Sequence, residues 1–428
     1  MRGHPPETGL TRRHRDLPRP APGLGSVRHV THVEVVVVGA GPGGLAVAAA
    51  LKEKGVPALV VDRAPHVGSS WRRHYDRLHL HTPRRWSGLP GFPIPRGFGR
   101  WVARDDVVHY LEAYAAHHRL DLRLGSPVTR VERLERLDRP DRPDRPDRPG
   151  GVGPGRWVVQ HEDGRTVEAA HVVVATGYNH TPVTPDWPGL AGFTGDVVLA
   201  RDYRNGRPHA GRDVLVVGTG NTGTEIATDL AEHGALRVWL AVRTPPHILP
   251  RSRMGWPAQG TGILVRRLPP RLVDRVAHVL AVVQEPDLTA YGMPKAGTDL
   301  YSRVLVGRVP VQDVGIVAAI RSRRVEPVAA VASFDGPDVV LADGRRLEPD
   351  AVVVATGYLA GLEPLVGHLG VLDRRGLPVV HGAHEPPGAA GLWFTGFTNP
   401  ISGMLRELRI DAERIAAEVS RAGASSRG

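Results

Sequence analysis

The apolar pattern begins with Val35-Val-Val-Val38, a β-branched run with no polar interruption, which predicts a strand buried on both faces. The run breaks at Gly39-Ala-Gly41-Pro-Gly43-Gly44 and resumes as Leu45-Ala-Val-Ala-Ala-Ala-Leu51, small and apolar all round, as in a fully packed helix. Ala58-Leu-Val-Val61 is a second strand, ending in Asp62, 23 residues after Gly39. Helical spacing returns over residues 104–118. Residues 128–137, 156–160 and 166–169 alternate as strands, the last two around an Asp163-Gly164 turn. Then Val172-Val-Val-Ala-Thr-Gly-Tyr178 recurs letter for letter at Val352 to Tyr358, 180 residues later. Each copy predicts a buried strand closed by a Thr-Gly turn, at the edge of a nucleotide-binding unit.

Between the copies the strand, turn and helix pattern repeats. Val214-Leu-Val-Val217 leads into Gly218-Thr-Gly220-Asn221-Thr222-Gly223 and a helix, and Val238-Trp-Leu-Ala-Val242 ends in Arg243. The predicted fold class is therefore α/β, with two nested Rossmann-like dinucleotide-binding domains, the second inserted in the first. The boundaries read as a basic disordered tail over 1–31, a first domain over 32–180 and the inserted domain over 181–345. The first domain returns over 346–420, and a short tail covers 421–428. Four Asp-Arg-Pro repeats and a glycine run make 138–155 a solvated insertion. Residues 261–283, split by Pro269 and Pro270, predict a core-packing helix pair, with a membrane-surface helix as the sharper alternative.

Each glycine turn has a physical job. Gly39 permits the bend, Gly41 lets backbone approach a pyrophosphate, and Gly43 and Gly44 open a helix that packs closely on its strand. Asp62 is placed to accept from a ribose 2′-hydroxyl, which FAD offers. Arg243 stands where that acid would be in the second unit, and its fork suits the 2′-phosphate of NADPH; a plain surface arginine in an arginine-rich chain is the alternative reading. Gly218, Gly220 and Gly223 repeat the three glycine roles. The repeated Thr176-Gly177 and Thr356-Gly357 complete the cofactor-side turns. FAD plus NADPH is the cofactor pair, with hydride passing from nicotinamide to flavin.

Composition narrows the chemistry. The chain has no cysteine, which excludes disulfides, thiolate metal sites and an internal redox dithiol. Its net charge is +11, yet 52 of the 55 basic residues are arginine, scattered without aromatic interleaving. That skew argues coding bias, not nucleic-acid binding. No apolar stretch approaches the roughly 20 residues of a membrane helix, and no apolar segment follows Arg12-Arg13, so a cytoplasmic protein without membrane contact is expected. His79 and His81 alternate on one face, but two histidines without a third ligand do not make a metal site.

The nested layout, both glycine turns and both Ala-Thr-Gly-Tyr segments resemble the class B flavin-containing monooxygenases. Residues 193–204 resemble their F-x-G-x-x-x-H-x-x-x-Y/F-K signature, departing at Leu199 for His and Arg204 for Lys. The closest likeness is to the YUCCA branch, which acts on indole-3-pyruvate. It is carried by Tyr75-Asp-Arg-Leu-His-Leu-His81-Thr-Pro83, Gly218 to Glu225, Val242 to Pro250 and Pro310 to Gly315. The resemblance implies that NADPH reduces FAD, that a C4a-(hydro)peroxyflavin forms with O₂, and that it oxygenates a small molecule. It places His81 near the flavin, where it could bond or tune the peroxide. It also implies that Ser402 and Gly403 aim the last helix at the flavin, that Asn221 and Thr222 touch the NADP pyrophosphate, and that Trp71 and Arg72 line the flavin cleft. Plain packing is an equal reading of Trp71. Oxidative decarboxylation of a 2-oxo acid leads. N- or S-oxygenation, Baeyer–Villiger insertion and reduction of a non-disulfide acceptor stay open, as does a homo-oligomer.

Overall fold

The valine run forms the interior strand of a largely parallel sheet because every one of its side chains is covered: Val35 to Val38 are 0–5% exposed. The computed structural model describes residues 30–134, 156–265, 285–297, 307 and 309–425. The elements that matter here are, in chain order, β1 (Val30–Val38), α1 (Pro42–Glu53), β2 (Ala58–Val61), α2 (Ser69–Arg72), α3 (Arg104–His117), β3 (Asp121–Arg123), β4 (Val128–Leu134), β5 (Arg156–His161), β6 (Thr166–Val174), β7 (Asp196–Leu199), β8 (Asp213–Val217), α4 (Asn221–Glu232), β9 (Arg237–Val242), α5 (Ala258–Val265), β10 (Glu326–Ala329), β11 (Ala351–Val354), β12 (Leu392–Phe394) and α6 (Met404–Ser425).

The first sheet runs β3-β2-β1-β6-β5-β4, and β12 joins it beside β6. The chain leaves after β6, builds a second sheet in the order β10-β9-β8-β11-β7, and comes back at β12. All pairings in the second sheet are parallel. Helix α1 is buried from Gly43 to Leu51, since it is covered by the sheet on one side and by Leu408, Ala412, Ile415 and Ala416 of α6 on the other. Alanine is the residue that lets a helix lie this deep between two neighbours.

Several boundaries move. Strand β1 starts at Val30, so the expected tail over 1–31 loses its last two residues to the sheet, where Val30 registers with Thr166 and Thr31 with Val167. The expected return of the first domain at 346 is also too early. Strand β11 pairs with β8 and β7 and so belongs to the second sheet, and the first sheet is rejoined only at Leu392. The two repeated segments are interior, not at an edge: Val172–Val174 of β6 lie between β1 and β12, and β11 lies between β8 and β7. Helix α6 runs to Ser425, through the tail expected from 421. The Asp-Arg-Pro insertion and most of 261–283 lie outside the described residues. Only 261–265 are described, at the end of α5. Among the described residues no helix is long and apolar enough to cross a membrane.

Candidate active site

The two glycine turns are built alike. Gly39 has φ +119°, and a Cβ there would stand 2.4 Å from the Ala175 carbonyl oxygen. Gly218 has φ +123°, and its Cβ would stand 2.3 Å from that of Ala355. This explains the repeated heptapeptide. In each sheet it supplies the neighbouring strand whose last carbonyl is touched by the turn glycine, at a site where no side chain fits. Gly44 and Gly223 allow the helix to sit on the turn, since a Cβ would fall 1.8 Å and 2.0 Å from the Gly39 and Gly218 carbonyl oxygens. Gly41 and Gly220 are the N-caps, without a side-chain cap, and open space faces both. Two helix N-termini therefore present unblocked N–H groups where phosphates would lie. The residues fit a dinucleotide at each turn. Gly43 differs, because it packs toward Leu408 of α6 and not toward the open side.

The acid and the base after the two turns are held differently. Asp62 accepts from the Ala40 N–H at 2.6 Å and the Ala64 N–H at 2.8 Å, so it braces the first turn. Arg243 is exposed on the wall of a cavity of about 680 Å³ that also meets Gly218, Gly220, Thr222, Thr356 and Gly357. The Asn221 side chain is spent inside the protein. Its Oδ1 accepts from the Gln312 N–H at 2.7 Å and its Nδ2 donates to the Pro310 carbonyl, which leaves backbone to meet a pyrophosphate. Thr176 Oγ1 is buried with no hydrogen-bond partner among the described residues, while Thr356 Oγ1 donates to the Val183 carbonyl. Gly177 and Gly357 both take positive φ and face open space.

The segment 75–82 straps the two units together, and its partner is Glu225, the acid that closes the second glycine motif and to which the sequence alone assigns no role. Glu225 of α4 is 3% exposed, and its Oε1 lies 2.8 Å from His81 Nε2, a close polar contact rather than an aligned hydrogen bond. Tyr75 reaches the same carboxylate and Thr222. Burial, then the negative Glu225, pushes the Tyr75 hydroxyl well above its usual range and keeps it a donor. Arg77 donates to the Glu225 and Val314 carbonyls and pairs with Glu232 at 3.3 Å. A carboxylate buried on the apolar face of α4, beside Ile226 and Ala227, is the signal that could have marked Glu225. His79 faces outward and donates to the Arg77 carbonyl, so the two histidines do not act together.

The segment resembling the family signature secures this strap from the second unit. Tyr203, buried, donates to Asp229 at 2.6 Å, and the Arg204 carbonyl accepts from the Asp76 N–H at 2.8 Å. Leu199 ends β7 among apolar neighbours of the second core, so an aliphatic residue suits that position locally. His74, the residue before the strap, is lowered to about 4 by burial, then by Arg204, Arg104 and Arg73 around it.

The remaining expected residues divide. Gly403, at φ +96°, opens α6, and a Cβ there would meet Gln259 Nε2 at 2.4 Å and Thr82 Cγ2 at 2.8 Å. Ser402 is buried. Its Oγ donates to Glu407 at 2.7 Å and its carbonyl accepts from Gln259. The start of α6 thus abuts Thr82, the neighbour of His81, and the two are brought together. Trp71 packs against both cores at the seam between the units. Arg72 turns to α3 instead, pairing with Glu112 and donating to the Val67 carbonyl.

Comparison with known proteins agrees with this geometry. Residues 33–385 match the pyridine nucleotide-disulphide oxidoreductase family model. The chain is 36% identical over 368 residues to indole-3-pyruvate monooxygenase YUCCA1 of Oryza sativa subsp. japonica, covering 85% of this chain and 86% of that protein. It is 34% identical over 390 residues to the probable indole-3-pyruvate monooxygenase YUCCA4 of Arabidopsis thaliana, covering 90% and 89%. Among solved structures, the flavin-containing monooxygenase of Stenotrophomonas maltophilia superposes with a TM-score of 0.66 at 24% identity, over 91% of this chain and 99% of that one. Cyclohexanone monooxygenase bound to ε-caprolactone superposes at 0.67 with 20% identity, over 93% and 89%. Both likenesses are of fold. With no cysteine in the chain, the disulfide chemistry in the family's description has no thiol here to act through. The chain belongs to the pyridine nucleotide-disulphide oxidoreductase family, and within it to the FAD- and NADPH-dependent flavin monooxygenases of the YUCCA type.

Proposed function

We propose that the protein oxidatively decarboxylates a 2-oxo acid, indole-3-pyruvate or a close aryl relative, in two nested dinucleotide-binding domains with FAD on the first turn and NADPH on the second. The overall change is R–CO–COOH + O₂ + NADPH + H⁺ → R–COOH + CO₂ + NADP⁺ + H₂O. The flavin, reduced by NADPH, supplies the activation of oxygen. The observation that carries the reading is the meeting of His81, Glu225 and the start of α6 at the seam between the two glycine turns. It stands in a chain that matches indole-3-pyruvate monooxygenases over 85–90% of its length.

The chain's own residues have distinct duties in this reading. The turn at Gly39, Gly41 and Gly44 receives the FAD pyrophosphate, Asp62 holds both the turn and the ribose, and Gly43 serves helix packing. Gly218, Gly220 and Gly223 do the same for NADPH, with Arg243 on the 2′-phosphate. His81 touches the reacting centre, and its ring is steadied through Nε2 by Glu225. The buried Nδ1, without a partner among the described residues, is its free face, and a ring nitrogen there can accept or hold a proton. The N-terminal end of α6 stabilises negative charge that develops on the flavin ring.

The test is a stoichiometry. FAD-loaded protein given NADPH and indole-3-pyruvate in air should yield indole-3-acetate and CO₂ in near equality with NADPH consumed. NADPH consumption that is independent of indole-3-pyruvate and ends wholly in hydrogen peroxide would refute the reading.

A further inference from the structure

A second constellation lies beside the seam, outside both glycine turns. Arg251 lies half-buried below the second unit's hairpin, formed by Ser252–Arg253 and Trp256–Pro257, with its guanidinium 4.4 Å from the centre of the Trp101 ring. Among the described residues it pairs with no carboxylate. Arg100 stacks on the same ring at 5.0 Å and donates to the Gly255 carbonyl at 2.6 Å, so two guanidiniums share one indole. Burial first, with Arg100 adding, lowers the Arg251 pKa, while Glu225 raises it. Glu225 is itself closed off behind His81 and Tyr75. Arg100 is exposed and Arg251 half-buried, so the desolvation cost falls on Arg251, and a half-buried guanidinium without a carboxylate beside it is costly unless an anion arrives.

The same place has aromatic walls. Trp86 and Trp256 meet edge to face with ring centres 6.3 Å apart, and Arg85 lies over Trp86 at 4.1 Å. Gly260 of α5 is what lets these rings close, because a Cβ there would meet Trp256 at 2.7 Å and Trp86 at 3.0 Å. This cluster belongs to the seam by direct bonds. The Arg100 carbonyl accepts from the Arg84 N–H, two residues beyond Thr82, and the Arg251 carbonyl accepts from the Ala258 N–H that starts α5. The next residue of α5, Gln259, donates to Ser402 at the start of α6.

We propose that Arg251, with Arg100 beside it, is the anchor for the substrate's carboxylate, and that Trp86, Trp101 and Trp256 wall the aryl side. The ligand class is an aryl 2-oxo acid, so the assignment rests on the function proposed above and sharpens it. A planar fork stacked on an indole is pre-organised to take a carboxylate with two parallel hydrogen bonds.

The assignment is tested at equilibrium, without NADPH, so that turnover plays no part. FAD-loaded protein is titrated calorimetrically with indole-3-lactate, which keeps the carboxylate and the indole, and with its methyl ester. The wild type should prefer the acid by about 10- to 100-fold, the range of a charge-assisted pair. In Arg251→Gln the acid should weaken until the ratio approaches one while the ester is unchanged, and Arg251→Lys should fall between. A wild-type ratio near one, or no binding of the acid, overturns the assignment without any variant. So does an Arg251→Gln protein that keeps its FAD, its melting temperature and its preference for the acid. The indole-3-pyruvate stoichiometry decides the reaction separately: an Arg251-dependent preference with no turnover would keep the anchor and remove the reaction.

Discussion

The two glycine turns are near copies in backbone, and the residues proposed to read the two cofactors are opposite in charge and in how they are held. In both, a glycine at strongly positive φ touches the last carbonyl of the repeated strand, and a second glycine seats the helix on the turn. After the first, Asp62 is locked by two backbone N–H groups; after the second, Arg243 lines a cavity wall without a partner among the described residues. One turn has its recognition residue built into the fold, as suits a cofactor that stays. The other keeps its recognition residue for the ligand alone, as suits one that comes and goes.

The comparison breaks hardest at the third glycine. Gly44→Ala puts a methyl group 1.8 Å from a backbone oxygen in the unit that carries α1, α6 and the largest shared core. We expect a loss of more than about 4 kcal/mol, read as insoluble or FAD-free protein. Gly223→Ala makes an almost identical clash, 2.0 Å, in the second unit. It should leave FAD content largely intact and abolish saturation by NADPH. Equal loss of FAD in both variants would mean that the turns are not separable in function.

A second difference lies one residue before the repeat, His171 in the first sheet and Ala351 in the second. Burial lowers the His171 pKa to about 4, below its ordinary 6.5, and its Nδ1 faces Trp393 Nε1–H at 3.5 Å, which calls for an unprotonated ring. The folded pKa is depressed, so the stability it contributes is present above pH 6.5 and lost as pH falls from 6.5 toward 4. The loss is about 3 kcal/mol at the acid end. Chemical-denaturation midpoints across that window should slope downward, and His171→Ala should flatten the slope by close to one proton. An unchanged slope would locate the acid sensitivity elsewhere, His74 just before the strap being the next group to test.

Much of this is legible in the chain because it depends on local pattern. A valine run, a glycine turn and an alanine helix specify each other within about 20 residues, and the repeated heptapeptide announces two like sites. What the pattern hides is pairing at long range. Strand β11 joins β8 across more than 130 residues, so its sheet cannot be read from its neighbours in sequence. Glu225 looks like an ordinary helix carboxylate, and only the fold puts Tyr75 and His81 upon it. Arg251 is one arginine among 52. Its lack of a carboxylate partner and its seat on Trp101 exist only in three dimensions.

The smallest expected effect is the most specific to the difference between the turns. Arg243→Ala removes a charged fork that nothing in the described structure uses, so folding and FAD content should stay as they are. A guanidinium on a phosphate contributes about 1.5–3 kcal/mol. The apparent KM for NADPH should therefore rise by about 10- to 100-fold, while that for NADH, which lacks the 2′-phosphate, should hardly move. Asp62→Ala should do the reverse. Freeing the Ala40 and Ala64 N–H groups costs about 1–3 kcal/mol of stability and weakens FAD, with the NADPH-to-NADH preference untouched. If Arg243→Ala instead lowered both coenzymes equally, the arginine would be shaping the cavity wall rather than reading the phosphate. The second turn would then owe its coenzyme choice to backbone alone.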